Sequence, residues 1–335
     1  NQGGVRNPMD LVQGKVAGLN VTRTQGSNPN AGTSIQLRGM ASLSGGNSPL
    51  VVIDGIPGGN LDLVKQGDIE SIDVLKDGSA AAIYGTRGNG GVILITTKKG
   101  KAGTSQFDYQ TYGQKEFVAK RPSMLSADAF REYVVKGQNK PDLDLGASTD
   151  LYDELIAKDN FSHFHNFSAS GGSEKSTYRA SLNYLDANGI AKQNGREQFG
   201  GRFSFVQKGL QDYLTFSTNI AANFNKADLL GGKTEYFEQA MQRNPTAPLM
   251  NSDGTFYETQ GYNNFNPMGR LAHRIDDRNQ QTFSGDARLK LKIIDELSVS
   301  AFGSYVRDNF NDRQYRSILD WEQRANSSYQ GMGYG

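Results

Sequence analysis

Residues 283–293 read Phe-Ser-Gly-Asp-Ala-Arg-Leu-Lys-Leu-Lys-Ile, and their alternation decides the fold class. Phe283, Gly285, Ala287, Leu289, Leu291 and Ile293 are apolar or small, while Ser284, Asp286, Arg288, Lys290 and Lys292 fill the positions between. Successive side chains of a strand point to opposite faces, so one face of this segment calls for apolar surroundings and the other for water. The same period of two recurs upstream, in Leu214, Phe216, Ile220, Ala222 and Phe224 set against Thr215, Ser217, Asn219, Asn223 and Asn225. Further copies run from Tyr178 to Tyr184, Phe199 to Phe205 and Leu297 to Tyr305, with weaker ones at Phe107 to Thr111 and Phe167 to Ala169. That makes about seven predicted strands.

The connections sort by length. Gly171 to Glu174, Lys208 to Gln211 and Ile294 to Glu296 are tight, whereas Asp186 to Arg196 and Lys226 to Gln280 are long. Short turns at one end and long loops at the other are what an outer-membrane barrel shows. Helical spacing marks Ala127 to Val135, Leu151 to Lys158 and Glu235 to Arg243, the last ended by Asn244-Pro245, and Asn251 to Gly254 reads as a hairpin turn. Seven strands leave two unpaired edges and cannot close a barrel. A closed barrel of ~22 strands, wide enough to hold a plug, needs roughly 650 residues beyond that plug, so the chain is expected to be a fragment.

Composition agrees and excludes several function classes. The 335 residues carry 36 Lys plus Arg against 35 Asp plus Glu, and a net charge of +1 gives no bulk reason to expect a nucleic-acid partner. Forty glycines, about 12% against a background of ~7%, imply many turns and close backbone contacts. Mean hydropathy is −0.59, yet Phe (17) and Tyr (15) carry much of the apolar surface. No run approaches the ~18 to 20 apolar residues of a membrane-spanning helix, which leaves a membrane barrel open. The absence of Cys excludes a disulfide framework, a thiol nucleophile and Cys-ligated metal. The chain opens at Asn1 without Met or a signal-like stretch, so a removed leader or a missing start is expected.

Residues 1–100 have a different texture and read as an α/β domain, with residues 101–335 as the alternating domain. Val16 to Val21, Ser34 to Leu37, Leu50 to Ile53, Ile69 to Leu75 and Val92 to Thr97 are short β-branched runs bounded by turn residues, hence five predicted strands. Short helices are predicted over Asn7 to Gln13, with Pro8 in the first turn, and over Ser79 to Tyr84.

Three stretches of this first domain, LVQGKVAGLNV (Leu11 to Val21), SIQLRGMASLSGGNSPLVVIDGIP (Ser34 to Pro57) and DIESIDVLKDGSAAAIYGTRGNGGVILITTKKG (Asp68 to Gly100), together resemble the plug domain of SusC/RagA-family TonB-dependent outer-membrane transporters. The region from 105 onward, including MLSADAFREY (Met124 to Tyr133), is similar to the family's first barrel strands. The resemblance implies a mainly β fold, with the plug inside an antiparallel barrel of about 22 strands, and a location in the outer membrane of a bacterium of the Bacteroidota. It implies active import of oligosaccharide or peptide nutrients. The implied partners are a SusD-like surface lipoprotein lid, TonB with ExbB and ExbD acting through a segment upstream of Asn1, outer-membrane lipid, and a second copy of the two-protein complex. No cofactor and no nucleic acid are implied.

The resemblance also suggests site residues. Arg38 and Lys76 are expected to dock the plug onto barrel carboxylates, although Lys76-Asp77-Gly78 stands where the wider superfamily commonly has Arg-Gly-Pro. Gln25, Ser27, Asn28 and Asn30 in one plug loop, and Asn60 and Asp62 in another, are expected to meet cargo, with ordinary turn chemistry as the alternative. Leu214, Phe216, Ile220, Phe283, Leu289 and Leu291 are expected to face lipid, and Arg288, Lys290, Asn219 and Asn223 a wet interior. Gly85 to Gly91 lacks the Lys of a phosphate loop and follows a helix where such a loop follows a strand. His163 and His165 share a strand face without ligand-spaced partners, so no metal site is expected, and no spacing supports catalytic residues. The rival architectures are a secreted β-sandwich that binds glycans, disfavoured by the plug-like first hundred residues, and an outer-membrane receptor that only signals.

Overall fold

The computed structural model describes residues 7–37, 48–76, 83–258 and 265–320. The chain up to Thr97 builds two small sheets over one core. Asn7 caps a 3₁₀ turn over Pro8–Leu11, with Pro8 where its missing N–H does no harm. β1 (Leu19–Arg23) pairs antiparallel with β2 (Thr33–Leu37). β3 (Leu50–Ile53), β4 (Ile56–Pro57), β5 (Ile69–Leu75) and β6 (Val92–Thr97) form a second sheet in the order β4-β3-β6-β5, with β3 and β6 parallel. The sequence predicted five strands; β4 is the addition, folded back because Asp54 (φ 51°) and Gly55 (φ 89°) both take positive φ in a two-residue hairpin. Most of the predicted helix Ser79 to Tyr84 lies outside the described residues, and Ile83 and Tyr84 are helical. Met9, Leu19, Val21, Ile35, Leu37, Ile53, Ile93 and Ile95 join both sheets in one apolar core.

The remaining strands make one seven-stranded antiparallel sheet in chain order: β7 (Gly103–Lys115), β8 (Phe161–Gly172), β9 (Ser176–Asn188), β10 (Gly195–Gly209), β11 (Leu214–Asp228), β12 (Arg274–Lys292) and β13 (Ser298–Arg316). The seven predicted strands are present. They extend further at one end than hydrophobic alternation indicated, so the loop read as Asp186 to Arg196 shrinks to residues 189–194, and the one read as Lys226 to Gln280 to residues 229–273. The extra strand residues, such as Asp276, Asp277 and Arg278, are polar on both faces. A strand continuing beyond an apolar layer keeps its backbone ladder without needing an apolar face.

Above this end, the β7–β8 and β11–β12 connections fold together. α1 (Ala127–Phe130) continues as a π-helical stretch over Arg131–Lys136, followed by α2 (Leu151–Leu155), α3 (Thr234–Gln242) and α4 (Pro267–His273), the last unanticipated. Leu151, Leu155, Leu230, Tyr236, Phe265 and Leu271 give α2, α3 and α4 a separate apolar core. The turn at Asn251 to Gly254 closes a bridge between Met250 and Phe256.

Candidate functional site

The seven-stranded sheet has two unlike faces. On one, Leu182, Phe199, Phe203, Phe216, Ile220, Phe224, Phe283, Leu289 and Leu291 are exposed. Register aligns them in rows, Phe199 beside Tyr184 and Phe224, and Phe203 beside Ile220. On the other face Asn166, Ser168, Arg179, Ser181, Asn183, Gln198, Ser204, Asn223 and Asn225 are buried, because the N-terminal unit lies against them. This polar and largely buried interface is the candidate functional site.

Among the described residues, three ion pairs cross it. Asp54 pairs with Arg202 at 2.9 Å, and both side chains are more than nine-tenths buried. The Asp54 carboxylate also accepts from the Thr97 amide and hydroxyl at 2.9 and 2.8 Å, and Arg202 reaches the Leu63 carbonyl. Asp68 accepts from Arg179 at 3.2 Å and from the Ser181 hydroxyl at 2.9 Å, again in a closed setting. Asp62 and Arg196 meet at 2.7 Å nearer the long-loop end. Between them the Lys65 ammonium donates to Gln198 Oε1 at 2.6 Å. Burial, opposed by Asp62 and reinforced by Arg196, lowers the Lys65 pKa to about 8. Asn183 Oδ1, Asn223 Oδ1 and Nδ2, Gln198 Nε2 and Ser204 Oγ are buried without a protein partner, so the interface retains hydrogen-bonding capacity beyond its ion pairs.

Close approach depends on particular glycines. A Cβ on Gly67 would fall 2.8 Å from Asn166 Nδ2, and one on Gly200 would fall 3.1 Å from Asn183 Oδ1, Asn223 Oδ1 and the Ala222 carbonyl. A cavity of about 330 Å³ remains between the β3–β6 sheet and the wall, lined by Asp54, Tyr84, Lys99, Asn219, Asp286 and Arg288. Arg288, one of the expected interior residues, stacks on Phe302 with 4.9 Å between guanidinium and ring centre. Asn219 donates to Asp286, and Asn223 is buried.

The residues expected to meet cargo are grouped at the long-loop end but are engaged with the wall. Gln25 donates to the Thr234 hydroxyl at 3.0 Å, and Asn30 donates to the carbonyls of Gly195 and Asp228, both at 2.9 Å. Asn28 bonds Gln25 and the Asn30 amide, while the Ser27 carbonyl lies close over Gly189. Asn60 donates to Asp308 at 3.0 Å and caps the turn that carries Asp62. Of the two docking residues, Arg38 lies outside the described residues. Lys76 donates to the Ala17 carbonyl within its own unit. The described interface runs with the opposite polarity, carboxylates on the N-terminal unit and guanidiniums on the sheet. Arg179 and Arg202, which lie on the polar side of alternating strands, were passed over in the sequence, because their partners, more than 100 residues away, carry no local signal. His163 sits 3.7 Å from Asp186, and His165 bonds Tyr109, on the outward face. No group of three metal-ligating side chains occurs among the described residues.

Comparison with known proteins gives this geometry a context. Residues 1–92 match the family model for the TonB-dependent receptor plug domain. The TonB-dependent receptor SusC of Bacteroides thetaiotaomicron is 34% identical over 280 residues, covering 78% of this chain and 27% of SusC. The TonB-dependent receptor P26 of Formosa agariphila is 33% identical over 350 residues, covering 98% of this chain and 34% of P26. The chain thus spans about a quarter to a third of the curated relatives it matches. Among solved structures, the RagAB peptide importer in its open-open state superposes with a TM-score of 0.76 at 24% identity, over 94% of this chain and 40% of the other. That likeness is one of fold.

Proposed function

Because this chain belongs to the SusC/RagA family of TonB-dependent outer-membrane receptors, we propose that it forms the plug (residues 1–100) and the opening strands (residues 101–335) of a transporter that imports oligosaccharide or peptide nutrients under a SusD-like lid. The observation that carries this reading is the sheet with its faces reversed: apolar residues exposed on one side, and ion pairs and amides buried against a separately cored domain on the other. A soluble sandwich would bury the apolar side. From Leu214 to Phe224 the outward row spans ten residues of a strand, about 25 Å of height at a barrel's usual tilt, which is the thickness of an outer-membrane apolar band. Leu214, Phe216, Ile220, Phe283, Leu289 and Leu291 would meet lipid there. Gln25, Ser27, Asn28, Asn30, Asn60 and Asp62 would meet cargo once their present contacts are released, with Arg38 and Lys76 as docking residues. TonB, with ExbB and ExbD, would supply the pull that displaces the plug, and the receptor–lid pair would assemble twofold.

The test is uptake of labelled oligosaccharides and peptides by cells carrying the complete receptor and its lid, with and without TonB. TonB-dependent accumulation of one cargo class is expected, and equal accumulation in cells lacking TonB would refute import. In the assembled complex, Asn28→Ala with Asn60→Ala should weaken cargo binding by roughly 1 to 3 kcal/mol if the cargo's polar groups are left buried and unpaired. Titration of the cargo reads this directly.

A further inference from the structure

The buried side of β8–β11 carries charge of one sign. Alternation and register put four cations on this side, Arg179 on β9 and Arg196, Arg202 and Lys208 on β10, whereas the carboxylates of the four strands, Asp186, Glu197 and Asp228, fall on the other. Arg179 stands opposite Ser204, so the series descends from Arg196 near the long loops, through Arg202 and Arg179, to Lys208 beside the short turns. It runs along twelve residues of β10, about 40 Å of strand. Among the described residues, the carboxylates in ion pairs with it belong to one short segment of the plug, Asp54 on Arg202, Asp62 on Arg196 and Asp68 on Arg179, while Asp286 on β12 accepts from Asn219 at its edge.

A carboxylate that leaves an arginine on the wall is replaced by water or by another anion, and an anion restores a charge-assisted pairing that water only partly replaces. Three such exchanges lie in line down the wall, and guanidinium forks suit planar carboxylates and sulfates alike. We infer that β8–β11 form an anion track for acidic oligosaccharides, and that Asp54, Asp62 and Asp68 occupy it in place of the cargo's anionic groups while the plug is seated. This inference rests on the import reading above. Withdrawal of segment 54–68 bares the arginines, and the entering cargo restores their pairing. Between the arginines the unpaired amide and hydroxyl atoms of Asn183, Asn223, Gln198 and Ser204 suit sugar hydroxyls. Phe164 and Leu185, the large apolar side chains there on β8 and β9, are packed with Ala187 and Tyr112, and the groups between the arginines are polar.

The test uses the complete receptor in a planar bilayer, its plug unseated with urea, and measures block of the open-channel current by hexagalacturonate, maltohexaose and hexaglutamate. Hexagalacturonate should block at about tenfold lower concentration than maltohexaose, and Arg179→Gln with Arg202→Gln should raise its half-blocking concentration by about tenfold while leaving maltohexaose unchanged. Lys208→Gln, at an exposed position with no plug carboxylate against it among the described residues, should shift block in the same direction by less, and serves if the double variant fails to assemble. Unchanged block in these variants would overturn the track. Hexaglutamate blocking as strongly as hexagalacturonate, with the same loss in the variants, would replace the oligosaccharide by an acidic peptide. Import is read separately from TonB-dependent uptake, so arginine-dependent block without energised uptake would leave the track standing and remove the transporter reading.

Discussion

The N-terminal unit and the large sheet solve opposite problems with the same residue types. In the first, Met9, Ile93 and Ile95 are wholly or almost wholly buried and polar groups lie outside, the arrangement water dictates. In the second, Phe199, Phe203 and Ile220 are 40 to 51% exposed while Arg202 and Asn223 are enclosed. The lesson concerns the solvent. An exposed apolar band and a buried polar one are stable together when hydrocarbon lies on the first side and a polar body on the second. The plug obeys the rule for water because its two sheets close over an apolar core of their own.

The sharpest way to break this contrast is to strand a charge in the polar interface. Arg202→Ala leaves Asp54 with Thr97 as its partner, and should loosen plug seating by roughly 3 to 5 kcal/mol. Denaturant-induced channel opening measures this, and adding Asp54→Asn should recover most of the loss. A next, smaller effect comes from the outward face. Leu289→Arg should destabilise the folded barrel by about 2 to 4 kcal/mol near the bilayer midplane, whereas Lys290→Ala, one residue along on the opposite face, should stay within about 0.5 kcal/mol. Unfolding in lipid compares the pair, and equal losses would erase the distinction between faces.

The mildest test is one of pH. Lys65 has a pKa of about 8 in the seated plug and near 10.5 when released. Below pH 8 both states are protonated and the burial penalty is fully present. Between about 8 and 10.5 the released state holds more protons, so seating strengthens as pH rises through that window, by on the order of 1 to 3 kcal/mol. Lys65→Met should remove the rise, and an identical pH profile in that variant would show that another group sets it.

What could be read from the sequence follows from how local each signal is. The period of two in residues 283–293 and its upstream copies fixed the number of strands and the opposition of their faces, since side-chain direction is a property of the strand alone. Pro8 marked a helix start and Asn244-Pro245 a helix end for equally local reasons. Strand ends were less legible: the polar continuation through Asp277 and Arg278 has no apolar face to announce it, and α4 is short and held by packing with Phe265 and Tyr236.

By itself, then, the sequence determined the domain texture, the seven strands and the family. Only the tertiary structure decided that Asp54, Asp62 and Asp68 meet Arg202, Arg196 and Arg179, that the anionic partner belongs to the plug, and that Asn30 and Asn60 are engaged with the wall. Alternation tells which way a side chain points. Which residue it meets depends on how two separately folded units settle against each other, and ion pairing across more than 100 residues is fixed by that docking.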